Sequence, residues 1–115
     1  MLMFAAVSAG AFGAHALRDR LDEYSRGVYE KAVFYHFVHA LSILILASFA
    51  ALKVLDQQSI ERAVWLMAVG IMIFSGTLYL LAVTGMKWLG AITPIGGTLF
   101  LISWALVAWN AWRAG

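Results

Sequence analysis

Four stretches of this chain contain no Asp, Glu, Lys or Arg: residues 1–17, 32–52, 63–84 and 88–112. At about 1.5 Å per residue, the three later stretches can cross the roughly 30 Å hydrocarbon core of a bilayer, and the first is at the lower limit of length. Segments in lipid must satisfy their own backbone hydrogen bonds, and these stretches lack the alternation of a barrel strand. The sequence therefore predicts an all-α fold, a four-helix transmembrane bundle running up-down-up-down as a single domain over residues 1–115.

The composition supports lipid as the surrounding solvent. Hydrophobic residues make up 63% of the 115 residues, charged residues make up 12%, and the mean hydropathy is +0.86. A soluble domain is only about 45–50% apolar, and a chain this short could not bury the excess in one core. The net charge of +2 without a basic cluster argues against a nucleic-acid partner, and the absence of Cys excludes disulfides and thiolate ligands. The predicted partner is the lipid bilayer.

The first stretch has two interpretations. The triplet Ala14-His15-Ala16 resembles the small-x-small cleavage site of a signal peptide. No Lys or Arg precedes the apolar run, however, so we interpret residues 1–17 as a retained span that lies with little tilt or in thinned bilayer.

The connection between the first two stretches, residues 18–31, holds four basic and four acidic residues. Asp22 and Arg26 have the favourable i, i+4 orientation. Leu21, Tyr24 and Val28 share one helical stripe. This pattern predicts a short interfacial helix leading into the second span, weakened at Gly27. A solvated charged loop is the alternative.

The distribution of Lys and Arg predicts the orientation of the bundle. The first and third loops carry five of these residues, and the second loop and the carboxyl end carry three. We therefore expect loops one and three in the cytoplasm and both termini outside. The two sets are Arg18, Arg20, Arg26, Lys31 and Lys87, and Lys53, Arg62 and Arg113.

Polar residues inside the stretches are concentrated toward one membrane face. An up-down-up-down chain brings loops one and three together, so the ends of spans one and three share a depth with the starts of spans two and four. We expect His15 to lie close to His36 or His39 in this half of the bundle. The predicted polar cluster consists of His15, Tyr35, His36, His39, Tyr79 and Thr93.

The three histidines support two interpretations. His36 and His39 lie on one helical face, and with His15 they could ligate zinc, copper or a haem iron, with Asp19 or Glu30 orienting the ligating rings. Histidines inside membranes more often hydrogen-bond a neighbouring helix, so we predict no metal and no cofactor. His39 is then the deeper of the pair, and its replacement by Ala should damage the bundle more than replacement of His36.

Pro94 interrupts the fourth stretch six residues beyond Trp88. Its ring leaves the carbonyl of Gly90 without the usual i→i−4 donor, which predicts a helix kink at Gly90 and Pro94. A bent helix is the preferred interpretation. The alternative is a broken helix that exposes backbone groups to a ligand.

Small residues in the first stretch, Ala6, Gly10 and Ala14, repeat every four positions. They allow close helix approach and predict packing seams of the bundle, with oligomer contacts or a lipid groove as alternatives. All four stretches lack Asp and Glu, which argues against a proton-coupled carrier built on an intramembrane carboxylate.

Four segments in order resemble a known family. They are AGAFGAHAL at 9–17, VFYHFVHAL at 33–41, FSGTLYLLAVTG at 74–85 and LGAITPIGG at 89–97. Together they resemble the YgdD-like small membrane proteins, a domain-of-unknown-function family that is similar to a eukaryotic transmembrane protein family. The resemblance implies a four-helix protein of the bacterial inner membrane with no established biochemical activity. Members usually have Gln at the position of His36, so no family-wide histidine pair is implied.

These observations predict a protein that acts by binding rather than by catalysis. The preferred hypothesis is a small accessory subunit or assembly factor, not an enzyme, that packs against other membrane proteins or itself. The first alternative is a binder or carrier of a small molecule, lipid or ion that uses the polar half of the bundle. The second is a metal or haem protein ligated by His15, His36 and His39.

Overall fold

The computed structural model describes residues 1–17 and 19–115, and this part of the chain consists of helices and turns without a strand. The all-α prediction is therefore confirmed. Arg18, which contributes to the predicted charge of the first loop, lies outside the described residues. The helices are α1 Leu2–His15, α2 Glu23–Ala51, α3 Gln57–Thr84 and α4 Thr93–Ala114, with a 3₁₀ turn at Lys87–Ala91 before α4.

The central helix of the bundle is α3. It packs against both α2 and α4, whereas α1 packs along α2. The first residues of α1, Leu2 and Met3, contact the middle of three buried layers. From the loop-one end to the opposite end, these layers are Ala32 with Leu78, Leu81 and Leu89, then Ala40 with Ile71 and Phe100, then Leu46 with Ile60 and Met67.

Two alanines allow α3 to approach its neighbours closely. Ala32 of α2 and Ala63 of α3 are fully buried. The Ser75 hydroxyl donates to the Ala32 carbonyl at 2.9 Å, and the Ser103 hydroxyl donates to the Ala63 carbonyl at 2.7 Å. Hydroxyl groups that bond across a helix interface satisfy themselves without water, which suits a bundle in lipid. Both long interfaces of α3 therefore combine close backbone approach with a hydrogen bond.

The second span begins earlier than predicted, because α2 starts at Glu23 and not at residue 32. The carboxylate of Asp22 caps it by accepting a hydrogen bond from the Ser25 backbone N–H at 2.7 Å. Helix α2 continues through Gly27 without a break, so the prediction of a separate interfacial helix was wrong. Its 29 residues extend over about 44 Å. This length exceeds a hydrocarbon core of roughly 30 Å, so the helix is long enough to keep its charged first turns outside such a core.

Three helical segments in the described part of the chain have the length and composition to cross a bilayer: Glu23–Ala51, Gln57–Thr84 and Lys87–Ala114. Helix α1 has 14 residues and is therefore about 21 Å long, less than the roughly 30 Å of the core. It ends at His15 and does not reach the predicted boundary at residue 17. The structure supports three spans, and a crossing by α1 stays a prediction.

The fourth span is divided where the sequence predicts a kink. Gly90 lies in the 3₁₀ turn, Ile92 forms the junction, and α4 begins at Thr93 with Pro94 in its first turn. A proline in the first turn removes an N–H that would have no partner within the helix, so it begins α4 at little cost. The change from the 3₁₀ turn to α4 therefore lies between Gly90 and Pro94, and the bent and broken forms of the fourth span both stay predictions.

Acidification should destabilise the first turn of α3, because it protonates the Asp56 carboxylate that caps this helix. The Ser59 backbone N–H donates to this carboxylate at 2.9 Å. That bond is the main cause of an Asp56 pKa below its usual value, with smaller effects from the Ser59 hydroxyl and from Arg113 and Arg62. A lowered pKa stabilises the folded protein above the unfolded carboxyl pKa of about 3.9, and this contribution is lost as the pH falls through the folded value.

We expect the melting temperature in detergent to fall more steeply below about pH 4 for wild type than for Asp56→Asn. Asparagine also caps helices but does not titrate, which makes it the matched control. Parallel curves of melting temperature against pH for the two proteins would contradict the role assigned to this cap.

Candidate functional site

Two hydrogen bonds connect three helices, one within the predicted polar cluster and one beside it, from a tyrosine that the prediction did not include. The Nδ1 atom of His36 on α2 lies 2.9 Å from the Tyr79 hydroxyl on α3. The Tyr79 ring lies 5.2 Å from that of Tyr29, measured between centroids, and the Tyr29 hydroxyl donates to the Ala9 carbonyl of α1 at 2.6 Å. Adjacent aromatic side chains with polar ends therefore join α3 to α2 and α2 to α1.

His39, a residue of α2, contacts both its own helix and α4. Its Nδ1 atom lies 2.8 Å from the Tyr35 carbonyl, which can only accept, so this nitrogen carries the proton and donates. Its Nε2 atom accepts from the Trp104 indole N–H at 3.1 Å. The ring also stacks on Phe100 with 3.6 Å between centroids. Both nitrogens of this neutral imidazole are occupied, which leaves no lone pair for a metal in this arrangement.

Tyr35 and Thr93 make different kinds of contact in the cluster. The Tyr35 ring packs on Phe74 with centroids 4.7 Å apart, while its carbonyl accepts from His39. Thr93 is buried, and its hydroxyl lies 2.7 Å from that of Thr77 on α3. The predicted cluster thus supplies contacts among α2, α3 and α4.

His15 does not belong to the cluster. It is exposed at the end of α1, beyond Gly13, which packs against the Tyr29 ring. Tyr29 precedes His36 by seven residues, or about 10 Å along α2. The expected proximity of His15 to the other histidines is therefore not found, because the packing of Gly13 sets the register of α1. Among residues 1–17 and 19–115, no three His, Asp or Glu side chains lie close enough to hold a metal ion.

One buried polar atom of the cluster has no hydrogen-bond partner within the part of the chain that the structure describes. It is the Nε2 atom of His36. An interaction with the backbone of Leu2 partly compensates this ring. The missing hydrogen bond therefore costs toward the lower end of about 1–3 kcal/mol. His36 is therefore less well satisfied than His39, although both rings are buried.

A groove lies between α1 and α2. Its volume is about 750 Å³, and it is partly open to the outside. Gly10 and Ala14 line it on α1, and Val33 and Phe37 line it on α2. It is a second candidate site and adjoins the polar cluster at Tyr29. The sequence predicts a groove only as one of the alternatives to a packing seam for the small residues of α1.

The family model described as "Protein of unknown function (DUF423)" matches residues 9–97, which include most of the polar cluster and the small residues of the groove. The chain belongs to the DUF423 family. The predicted resemblance is therefore confirmed. No solved structure gives a significant match to this DUF423 chain.

The relatives of this DUF423 protein are named as membrane proteins. The UPF0382 membrane protein YwdK of Bacillus subtilis is 46% identical over 102 residues, which cover 89% of this chain and 82% of the relative. A UPF0382 membrane protein of Staphylococcus epidermidis is 43% identical over 102 residues, covering 89% and 81%. Together with three long apolar helices, these names identify an integral membrane protein in contact with lipid.

Several contact residues were absent from the predicted cluster of this DUF423 protein. Tyr29, Phe100 and Trp104 form its remaining aromatic contacts. Two sequence signals were available: Tyr29 lies seven residues before His36 on the same helical stripe, and Phe100 lies four residues before Trp104. Neither signal identifies the partner across an interface, which depends on how the helices are rotated.

Proposed function

We propose that this DUF423 protein is a non-enzymatic interaction component of the membrane, a small accessory subunit or assembly factor. The observation that carries the proposal is the use of the polar side chains inside the helices. His39 bonds to Trp104, Ser75 to Ala32 and Thr93 to Thr77, so their hydrogen-bonding capacity holds helices together. What the molecule offers to other molecules is then its outer apolar surface.

The outer face of α4 is the surface we propose for a protein partner. Helix α4 packs along α3, and its other side is exposed. On that side Ala105 and Ala108 lie between the larger Leu101 and Trp109, all four of them exposed. Small residues flanked by large ones allow another membrane helix to approach closely. The partner we propose is a helix of another membrane protein or of a second copy.

We also propose four crossings, with α1 antiparallel to α2, and a location in the bacterial plasma membrane. The contact of Gly13 with Tyr29 and of Leu2 with the middle layer supports the antiparallel arrangement. The relatives from Bacillus and Staphylococcus support the location. We do not propose metal or haem binding, since both nitrogens of His39 are occupied and His15 lies apart.

Photo-cross-linking in intact membranes tests the interaction surface. A photoreactive amino acid at Ala108 should give an adduct of one discrete mass, and the same group at Leu44, exposed on α2, should not. Ala105→Trp should abolish the adduct by blocking close approach. The proposal fails if neither position gives a protein adduct, or if both positions give the same one.

A further inference from the structure

We propose that the groove between α1 and α2 binds one acyl chain of a zwitterionic phospholipid that carries an ammonium group, as phosphatidylethanolamine does. Arg26 would contact the phosphate and Glu30 the ammonium, since both residues line the groove. This site is separate from the α4 surface, so it does not depend on the protein partner proposed above.

The dimensions of the groove fit a single chain in one leaflet. The groove follows α2 from Arg26 to Val38, twelve residues apart, which is about 18 Å of helix. Half of a hydrocarbon core of roughly 30 Å is about 15 Å. The groove therefore extends from the headgroup region to about the middle of the bilayer.

The lining of the groove is apolar below its charged end. Gly10, Gly13 and Ala14 line it on α1 without large side chains, and Val33 and Phe37 provide apolar contacts on α2. The Tyr29 hydroxyl, which could have made this space polar, is bonded to the backbone of α1. The interior of the groove thus suits a hydrocarbon chain.

The charged end distinguishes between headgroups. Arg26 and Glu30 are one helical turn apart and exposed, so a cation and an anion stand together where a headgroup would lie. An anionic headgroup without an ammonium would bring its phosphate close to the Glu30 carboxylate, whereas a phosphate with an ammonium complements both residues. Arg26 already interacts within the chain, but its five N–H donors allow a phosphate to bind as well.

Native mass spectrometry of the full chain, released from vesicles of equal phosphatidylethanolamine and phosphatidylglycerol, tests the proposal. We expect one retained phosphatidylethanolamine. Ala14→Trp should fill the groove and lower this retention about tenfold, equivalent to roughly 1.4 kcal/mol. Ala11→Trp is the matched control, because Ala11 is exposed on α1 but does not line the groove. It should retain the lipid as wild type does.

Two charge variants test the headgroup assignment. Arg26→Gln should lower retention of both lipids, and Glu30→Gln should shift the preference toward phosphatidylglycerol. Equal retention of the two lipids by wild type, or an equal loss in both Trp variants, would overturn the proposal. If Ala14→Trp instead dissociates a protein complex and changes no lipid adduct, the groove holds a helix and the lipid assignment is wrong. Circular dichroism of each variant establishes that it is folded.

Discussion

Replacing Gly96 with Ala is expected to cost about 3 kcal/mol of stability and to loosen α4 from α3, at the upper end of the range for overpacked cores. A Cβ atom at this position would lie 2.8 Å from the Cα and the Cβ of Phe74 and would also meet its backbone nitrogen. A flexible side chain could move aside, but the backbone of a packed helix cannot. The helices would have to separate, which also strains the bonds of Thr93 and Ser103 to α3.

Gly97→Ala is the matched control for this substitution. A Cβ atom there would lie 3.7 Å from the nearest atoms of the Phe74 ring, an ordinary contact. Because Ala is a better helix former than Gly by about 1 kcal/mol, this variant should be as stable as wild type or slightly more stable. Unfolding of purified protein in a mild detergent measures both variants. Similar melting temperatures for Gly96→Ala and Gly97→Ala would show that the close approach of α4 to Phe74 is not required.

His39→Ala is expected to cost about 3 kcal/mol, and His36→Ala about 1 kcal/mol. Loss of the His39 ring leaves a cavity beside Phe100 and an unpaired indole N–H on Trp104. Loss of the His36 ring breaks the bond to Tyr79 but also removes a buried nitrogen that has no partner. The two changes at His36 partly cancel, so the larger effect belongs to His39.

The variant His36→Asn separates the effects of the two ring nitrogens of His36. Asparagine can place a polar atom near the Nδ1 position and removes the Nε2 atom, so this variant should be at least as stable as His36→Ala. Unfolding of the three variants in the same detergent provides the measurement. A greater loss of stability at His36 than at His39 would mean that the bonds described for these rings do not determine their contributions.

The apolar runs predicted the fold class because chain length and hydropathy are local properties. They did not predict the helix boundaries, which depend on caps. Asp22 and Asp56 each precede a serine by three residues, and both carboxylates accept from the backbone N–H of that serine. This spacing is readable as a helix start, but a span defined by hydropathy excludes charged residues and so begins too late. The fourth stretch shows the opposite error, because hydropathy starts it at residue 88 whereas α4 begins at Thr93, with Pro94 at a favourable position in the first turn.

The sequence allowed the depth of the polar residues along the bundle to be predicted, but it did not allow their contact partners to be predicted. His36, His39, Tyr79 and Thr93 were assigned to one half of the bundle from their distance to the span ends, and all four make contacts there. Which side chains meet depends on helix rotation and register, which the pattern of one helix does not encode. His15 shows where this reasoning fails. Its position is determined by how α1 packs, and its distance from the end of the span did not predict that position.

Labelling of single cysteines in sealed membrane vesicles tests the membrane arrangement most directly, since the chain has no natural Cys. Positions 1, 53, 87 and 115 lie at the amino end, the α2–α3 turn, the α3–α4 turn and the carboxyl end. Four crossings predict that a membrane-impermeant reagent labels Lys53→Cys, Gly115→Cys and a cysteine at the amino end from one side, and Lys87→Cys from the other. Labelling of Lys53→Cys and Lys87→Cys from the same side would contradict a membrane-spanning α3, and an amino end on the Lys87 side would exclude the crossing by α1.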